Sequence, residues 1–160
     1  MRRILLSLVA AIALVAFASG SALGTQGAHF FSATGSINSS GALVVTFDEA
    51  GVGQEQVDYV LTANASATYA CINGGNNHPK AANKATFNGP VSSPTTSFQP
   101  ENGRVQGSIS VGPLSAGSFS CPSGQRLVLA SISYSNITLT DVTNNESASI
   151  ASVSRTFFTF

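Results

Sequence analysis

Val57-Asp-Tyr59-Val-Leu61-Thr-Ala63-Asn-Ala65-Ser-Ala67-Thr-Tyr69-Ala-Cys71 decides the fold. Its odd positions hold Val, Tyr, Leu, three Ala, Tyr and Cys, while Asp58, Val60, Thr62, Asn64, Ser66, Thr68 and Ala70 fill the even ones. Successive side chains of a strand point to opposite faces, so this pattern predicts one buried and one wetted face as far as Cys71. A helix could use Val57, Val60 and Leu61, but its next inward position is Asn64, and the helical reading fails there. Ala63, Ala65 and Ala67 mark a place where two sheets approach closely or a bulky neighbour fills the space.

The same logic extends in both directions. Residues 30–37 and 42–48, joined by Asn38-Ser39-Ser40-Gly41, read as an opening hairpin whose second arm puts Leu43, Val45 and Phe47 on one face. Residues 103–112 align Val105, Ile109 and Val111. Residues 126–142 change phase between Tyr134 and Ile137, which predicts a bulge near Ser135. Thr143-Asn144-Asn145-Glu146 is a turn into a last strand over 147–160, and 85–98, cut by Pro90 and Pro94, is at best an edge strand. About seven to eight strands with no helix between them predict an all-β, antiparallel β-sandwich, Ig-like in general shape. Without tryptophan, its core is not of the antibody type.

Residues 1–22 read as a secretory signal helix. Arg2 and Arg3 precede an uncharged run from Ile4 to Phe17, and Ala18, Ser19, Gly20, Ser21 and Ala22 supply the small residues a signal peptidase accepts. The run is shorter than the roughly 20 apolar residues of a membrane span, so stable membrane insertion is not expected. Cleavage is expected to leave a chain starting between Ser19 and His29, and residues 23–160, 138 of them, suit one domain.

An exported chain meets an oxidising compartment, and Cys71 and Cys121 are the only cysteines. They are expected to pair, closing a loop of about 50 residues worth roughly 4 kcal/mol on the chain-entropy model. The mature chain carries Lys80, Lys84, Arg104, Arg126 and Arg155 against Asp48, Glu49, Glu55, Asp58, Glu101, Asp141 and Glu146. That balance lacks the positive footprint of a nucleic-acid partner. No cofactor and no metal site is expected, since only His29 and His78 could supplement the two cysteines.

The densest polar stretch is the 72–84 loop. A cross-link at its Cys71 end would present Asn73, His78, Lys80, Asn83 and Lys84 with little entropy left to lose, so these are the candidate binding residues for an extracellular protein or polysaccharide. The competing reading is a turn built from Asn and Gly, with Asn83 and Lys84 tying it back to the sheet. The carboxylates of 48–58 read as a solvated loop, since the ligand alternation of a calcium loop is missing. Serine has no G-x-S-x-G elbow and the histidines are few, so the chain is expected not to be an enzyme. A small secreted hydrolase is one alternative. A small outer-membrane β-barrel, suggested by Phe157-Phe158-Thr159-Phe160, is the other. The N-x-S/T triplets at Asn38, Asn64, Asn136 and Asn145 would be used only in a eukaryotic secretory pathway.

Cys71-Ile-Asn73-Gly-Gly, Pro79-Lys-Ala81-Ala-Asn83-Lys84 and Phe119-Ser-Cys121-Pro122-Ser-Gly124-Gln125 together resemble the pattern of a group of small secreted bacterial proteins, as does Phe47-Asp-Glu49-Ala50-Gly51-Val-Gly53. The resemblance covers most of the mature chain. It implies secretion and one domain, and it brings with it no catalytic residue.

Overall fold

Nine antiparallel strands run through residues 27–73 and 83–159, the parts that the computed structural model describes. In chain order they are β1 (His29–Ile37), β2 (Leu43–Ala50), β3 (Val57–Asn73), β4 (Lys84–Ser92), β5 (Thr96–Phe98), β6 (Arg104–Val111), β7 (Gln125–Asp141), β8 (Glu146–Ile150) and β9 (Val153–Thr156). One sheet has the order β1-β2-β6. In the other, β3 and β7 are central, β4 and β5 both pair with the free side of β3, and β8 and β9 both pair with β7. Two edges are therefore split, and the nine strands make seven lines, three packed on four. The predicted β-sandwich is the fold, and two separate sheets replace the closed cylinder of a barrel.

The split beside β3 has a local cause. Between β4 and β5 the chain carries Pro94, and Ser93 keeps the edge attached to β3. Its N–H donates to the Leu61 carbonyl at 2.8 Å, and its Oγ accepts the Leu61 N–H at 3.0 Å. Pro90 sits in β4, at the sheet edge where a missing N–H costs no ladder bond.

β3 alternates as its sequence dictates from Val57 to Ala67, with every odd residue buried. The expectation of odd-only burial as far as Cys71 is corrected beyond Thr68. There Ala70, Cys71 and Ile72 are all buried and Tyr69 is half-buried. The β3–β7 register shifts between Thr68 and Tyr69, and the disulfide pulls the 112–124 connection against this end of the strand. A second shift, where Thr62 faces Thr138 but Asn64 faces Ser135, leaves an extra residue on β7. This is the bulge expected near Ser135. Asn136 occupies it at φ +49°, a left-handed conformation that Asn tolerates.

The core lies between the sheets. Leu43, Val45, Phe47, Val105, Ile109 and Val111 face Val57, Tyr59, Leu61, the three alanines, Ile132, Tyr134, Ile137 and Leu139. Phe47 and Tyr59 pack with ring centroids 4.7 Å apart, and Phe98 meets both edge-on at 5.5 and 5.6 Å. Gly107 leaves room for this group, because a Cβ there would come within 2.6 Å of the Phe98 ring. β4, at the edge of the larger sheet, has no fully buried residue. Leu114, from the β6–β7 connection, packs over Gly89 of β4 and accepts the Tyr69 hydroxyl on its carbonyl at 2.7 Å.

Candidate functional site

The two sequence-predicted loop clusters lie at opposite ends of the sandwich, because antiparallel pairing puts the start of β1 beside the end of β2 and the start of β6. One end carries the disulfide. The other is built from the 51–56 and 99–103 connections, the β7–β8 turn and the first residues of β1.

At the disulfide end, Cys71 and Cys121 are bonded with Cα atoms 5.5 Å apart, joining the end of a central strand to the connection that enters β7. Asn73 is exposed at the end of β3. His78 and Lys80 lie outside the described residues. Asn83 is half-buried, its Nδ2 donates to Gln125 Oε1 at 3.3 Å, and its carbonyl accepts the Cys71 N–H at 3.0 Å. Lys84 is exposed and opens β4 opposite Ala70. Of the five predicted contact residues, Asn83 is thus held in the tie between loop and sheet.

At the other end the polar groups are more closely organised. Glu101 and Arg104 exchange backbone hydrogen bonds of 2.8 and 3.1 Å around Asn102 and Gly103, both at positive φ (+53° and +74°). This is the Asn-Gly turn that favours a tight reversal. The Gly103 carbonyl accepts the N–H groups of Gly51 and Val52 at 2.9 and 3.3 Å, and Gln99 Nε2 donates to the Gln54 carbonyl at 2.8 Å. The two connections are fastened together in this way. On the far side, the Asp141 carboxylate accepts the Thr143 and Asn144 N–H groups and Asn144 Nδ2, which fixes the β7–β8 turn. The Asp58 N–H donates to Thr143 Oγ1 at 2.9 Å, tying that turn to β3.

Beneath these loops a carboxyl is sealed into the core. Glu49 continues the inward series Leu43, Val45, Phe47 and is fully buried, as is Asp141. Neither Glu49 carboxylate oxygen, nor the Tyr59 hydroxyl, is engaged at hydrogen-bond geometry. Burial pushes the Glu49 carboxyl up to about 7. The nearby Tyr59 hydroxyl opposes the rise, while the Asp141 and Glu146 carboxylates add to it. Burial first, then Glu49 and Asp141, raises the Tyr59 hydroxyl as well. The expectation of a solvated acidic loop over 48–58 is corrected here: β2 runs on to Ala50, and strand parity carries Glu49 inside.

Outward from β2, Asp48 takes the opposite role. Its carboxylate accepts Nε of Arg104 at 2.6 Å and a second bond from Nη2, and Gln106 Nε2 donates to it at 2.9 Å. The Arg104 hydrogen bonds, then that of Gln106, hold Asp48 below the usual carboxylate range. The Arg104 guanidinium lies 5.1 Å from the centroid of the Phe31 ring. Phe31 is 62% exposed, and β1 puts it there by a bulge. Phe30 faces Glu49 and Ser32 faces Asp48, so Phe31 is the extra residue of β1. Phe30 packs inward near Phe47 and Tyr59, while Phe31 and Ser32 both face out.

These groups border a shallow depression of about 750 Å³ lined by Phe31, Ala50–Gly53, Asn102–Arg104 and Asn144. Asn102 and Arg104 also line a second hollow, of about 550 Å³, beside Gln99, Glu101 and Gln106. Among the described residues, no three His, Cys, Asp or Glu side chains converge as metal ligands. Sequence reasoning missed this site, although Asn102-Gly103 was a visible turn signal and the parity of β2 pointed to Glu49. No family model, curated protein or solved structure matches the chain.

Proposed function

We propose that the chain is a secreted, non-enzymatic binding module, acting outside the cell or as a component of the extracellular surface. The observation that carries this reading is Phe31, a large apolar ring held in solvent by a bulge beside a rim of Asn, Gln and Arg. Apolar surface of that kind, rimmed by polar groups on a rigid scaffold, is the usual form of a recognition site. A disulfide is compatible with export, and no helix among the described residues is long and apolar enough to cross a membrane. The signal peptide falls outside the described residues and rests on the order of residues 1–22.

Two features favour binding over the hydrolase alternative. Glu49, the carboxyl with its pKa raised to about 7, is sealed from solvent and cannot reach a substrate proton. The depression is open and has no paired nucleophile and base among its lining residues. Three lines packed over four support the Ig-like general shape expected from the sequence. Its fourth line adjoins the third on the second sheet, where the constant-type arrangement would put it beside the fifth on the first sheet. The test is fractionation of producing cells with N-terminal sequencing, followed by assays against polysaccharide, protein and calcium ligands and against ester, peptide and glycoside substrates. A processed protein retained on extracellular material without turnover is expected. Intact Met1 in a cytoplasmic pool, or hydrolysis of any substrate, would contradict the reading.

A further inference from the structure

We infer that the depression at the Phe31 end binds a neutral polysaccharide, with Phe31 as the platform for one sugar ring and the side chains of Asn102 and Arg104 meeting its hydroxyls. The inference rests on the binding-module reading and deepens it. An aromatic face is electron-rich, and the C–H groups on one face of a pyranose are weakly positive, so the two attract much as a cation and a ring do. The bulge is what turns Phe31 outward, and an outward phenylalanine contributes nothing to the core that Phe30 already fills.

The polar side chains of the rim suit hydroxyls. Asn102 offers an amide with both donor and acceptor atoms, and its turn is fixed by the bonds to Gly51 and Val52, so little order must be gained on binding. Arg104 spends Nε and Nη2 on Asp48, which cancels its charge and leaves Nη1 to meet a hydroxyl. Glu101, which lines the neighbouring hollow, is negative. Sulfated, phosphorylated or uronic chains would therefore meet no net positive charge from Arg104, Asp48 and Glu101, and the His29 ring, 4.9 Å from that of Phe31, is the basic group nearest the platform. A protein partner would ask for a larger apolar patch: of the exposed large apolar residues among those described, Leu127 is near the opposite end, and only Val142, just after β7, joins Phe31 at this one.

The experiment measures retention of the purified exported protein by cellulose, chitin, starch and mannan, with alginate as the anionic control, followed by calorimetry with hexasaccharides of any polymer that binds. Retention by at least one neutral polymer is expected. Phe31→Ala should weaken it roughly 10-fold or more at an unchanged melting temperature, and Phe31→Trp should keep it. Asn102→Gly, which the positive φ accommodates, should weaken it a few-fold and serves as the second probe if Phe31→Ala folds poorly. Failure of all four neutral polymers, preference for alginate, or parental retention by both weakened variants would overturn the inference. If the protein instead captures a purified protein ligand through Phe31 and none of the polymers, the sugar assignment falls while the binding-module reading stands.

Discussion

The two ends of the sandwich are held by different means, and they offer different things to solvent. At one end a covalent bond joins β3 to the chain entering β7, reinforced by Asn83 bonding to Gln125 and to the Cys71 N–H. At the other, hydrogen bonds accepted by Gly103, Thr143 and Asp141 and donated by Gln99 fasten three loops that share no cross-link. A disulfide acts chiefly by restricting the unfolded chain, so it fixes where the backbone ends meet without shaping a surface. A set of hydrogen-bonded loops positions particular side chains, here Asn102, Arg104 and Phe31. Covalent anchoring by itself does not decide which end binds.

This contrast is first tested by removing the cross-link. Cys71→Ser should cost about 2–5 kcal/mol in denaturant unfolding, as for other small disulfide-bonded domains, and leave retention at the Phe31 end intact wherever the variant still folds. Equal stability of parent and variant would show that the bridge is redundant.

The second largest effect belongs to the opposite end and depends on pH. Glu49 has a folded value of about 7 against an ordinary 4.5, so the folded protein holds its proton longer than the unfolded chain does. Its contribution is fully favourable below about 4.5, declines as pH rises from there, and is lost above about 7. The loss should be at most about 3 kcal/mol, since a tenfold difference in proton affinity corresponds to about 1.4 kcal/mol and the two values lie about 2.5 powers of ten apart. Glu49→Gln should flatten the profile between those limits, measured as unfolding free energy against pH. A parent whose stability rises over that interval would place the Glu49 carboxylate in contact with a positive or donating group.

Smaller effects separate tying residues from presenting ones. Asn83→Ala should lower stability by about 1 kcal/mol through its bond to Gln125, read as a shifted denaturant midpoint. Phe31→Ala should change stability by less than about 0.5 kcal/mol, because its ring lies mostly in water. A large loss at Phe31 would make the ring a packing residue.

Much of the fold was legible because strand parity is a strong signal where polar and apolar residues alternate cleanly, as from Val57 to Ala67. The bulge at Asn136 was legible for the same reason: it breaks a regular series on both sides. The bulge at Phe31 was hidden, since His29-Phe30-Phe31 is a run of rings and parity has nothing to break. Glu49 was misread because a carboxylate next to glycines suggests a loop, although Leu43, Val45 and Phe47 already pointed it inward. A tie at Asn83 was one of the two readings of its loop, but its partner Gln125 is far away in sequence, and no local pattern announces that pairing. The site itself depends on loops from both sheets meeting, which is a property of the packing.

The most direct test sets the two ends against each other in one measurement. Retention of the exported protein on extracellular material from the producing cells is compared for the parent, Phe31→Ala, and the double variant His78→Ala with Lys80→Ala. The expected result is loss for Phe31→Ala and parental retention for the double variant, with all three proteins folded. Loss confined to the double variant would put recognition at the disulfide end and contradict the assignment made for the Phe31 depression.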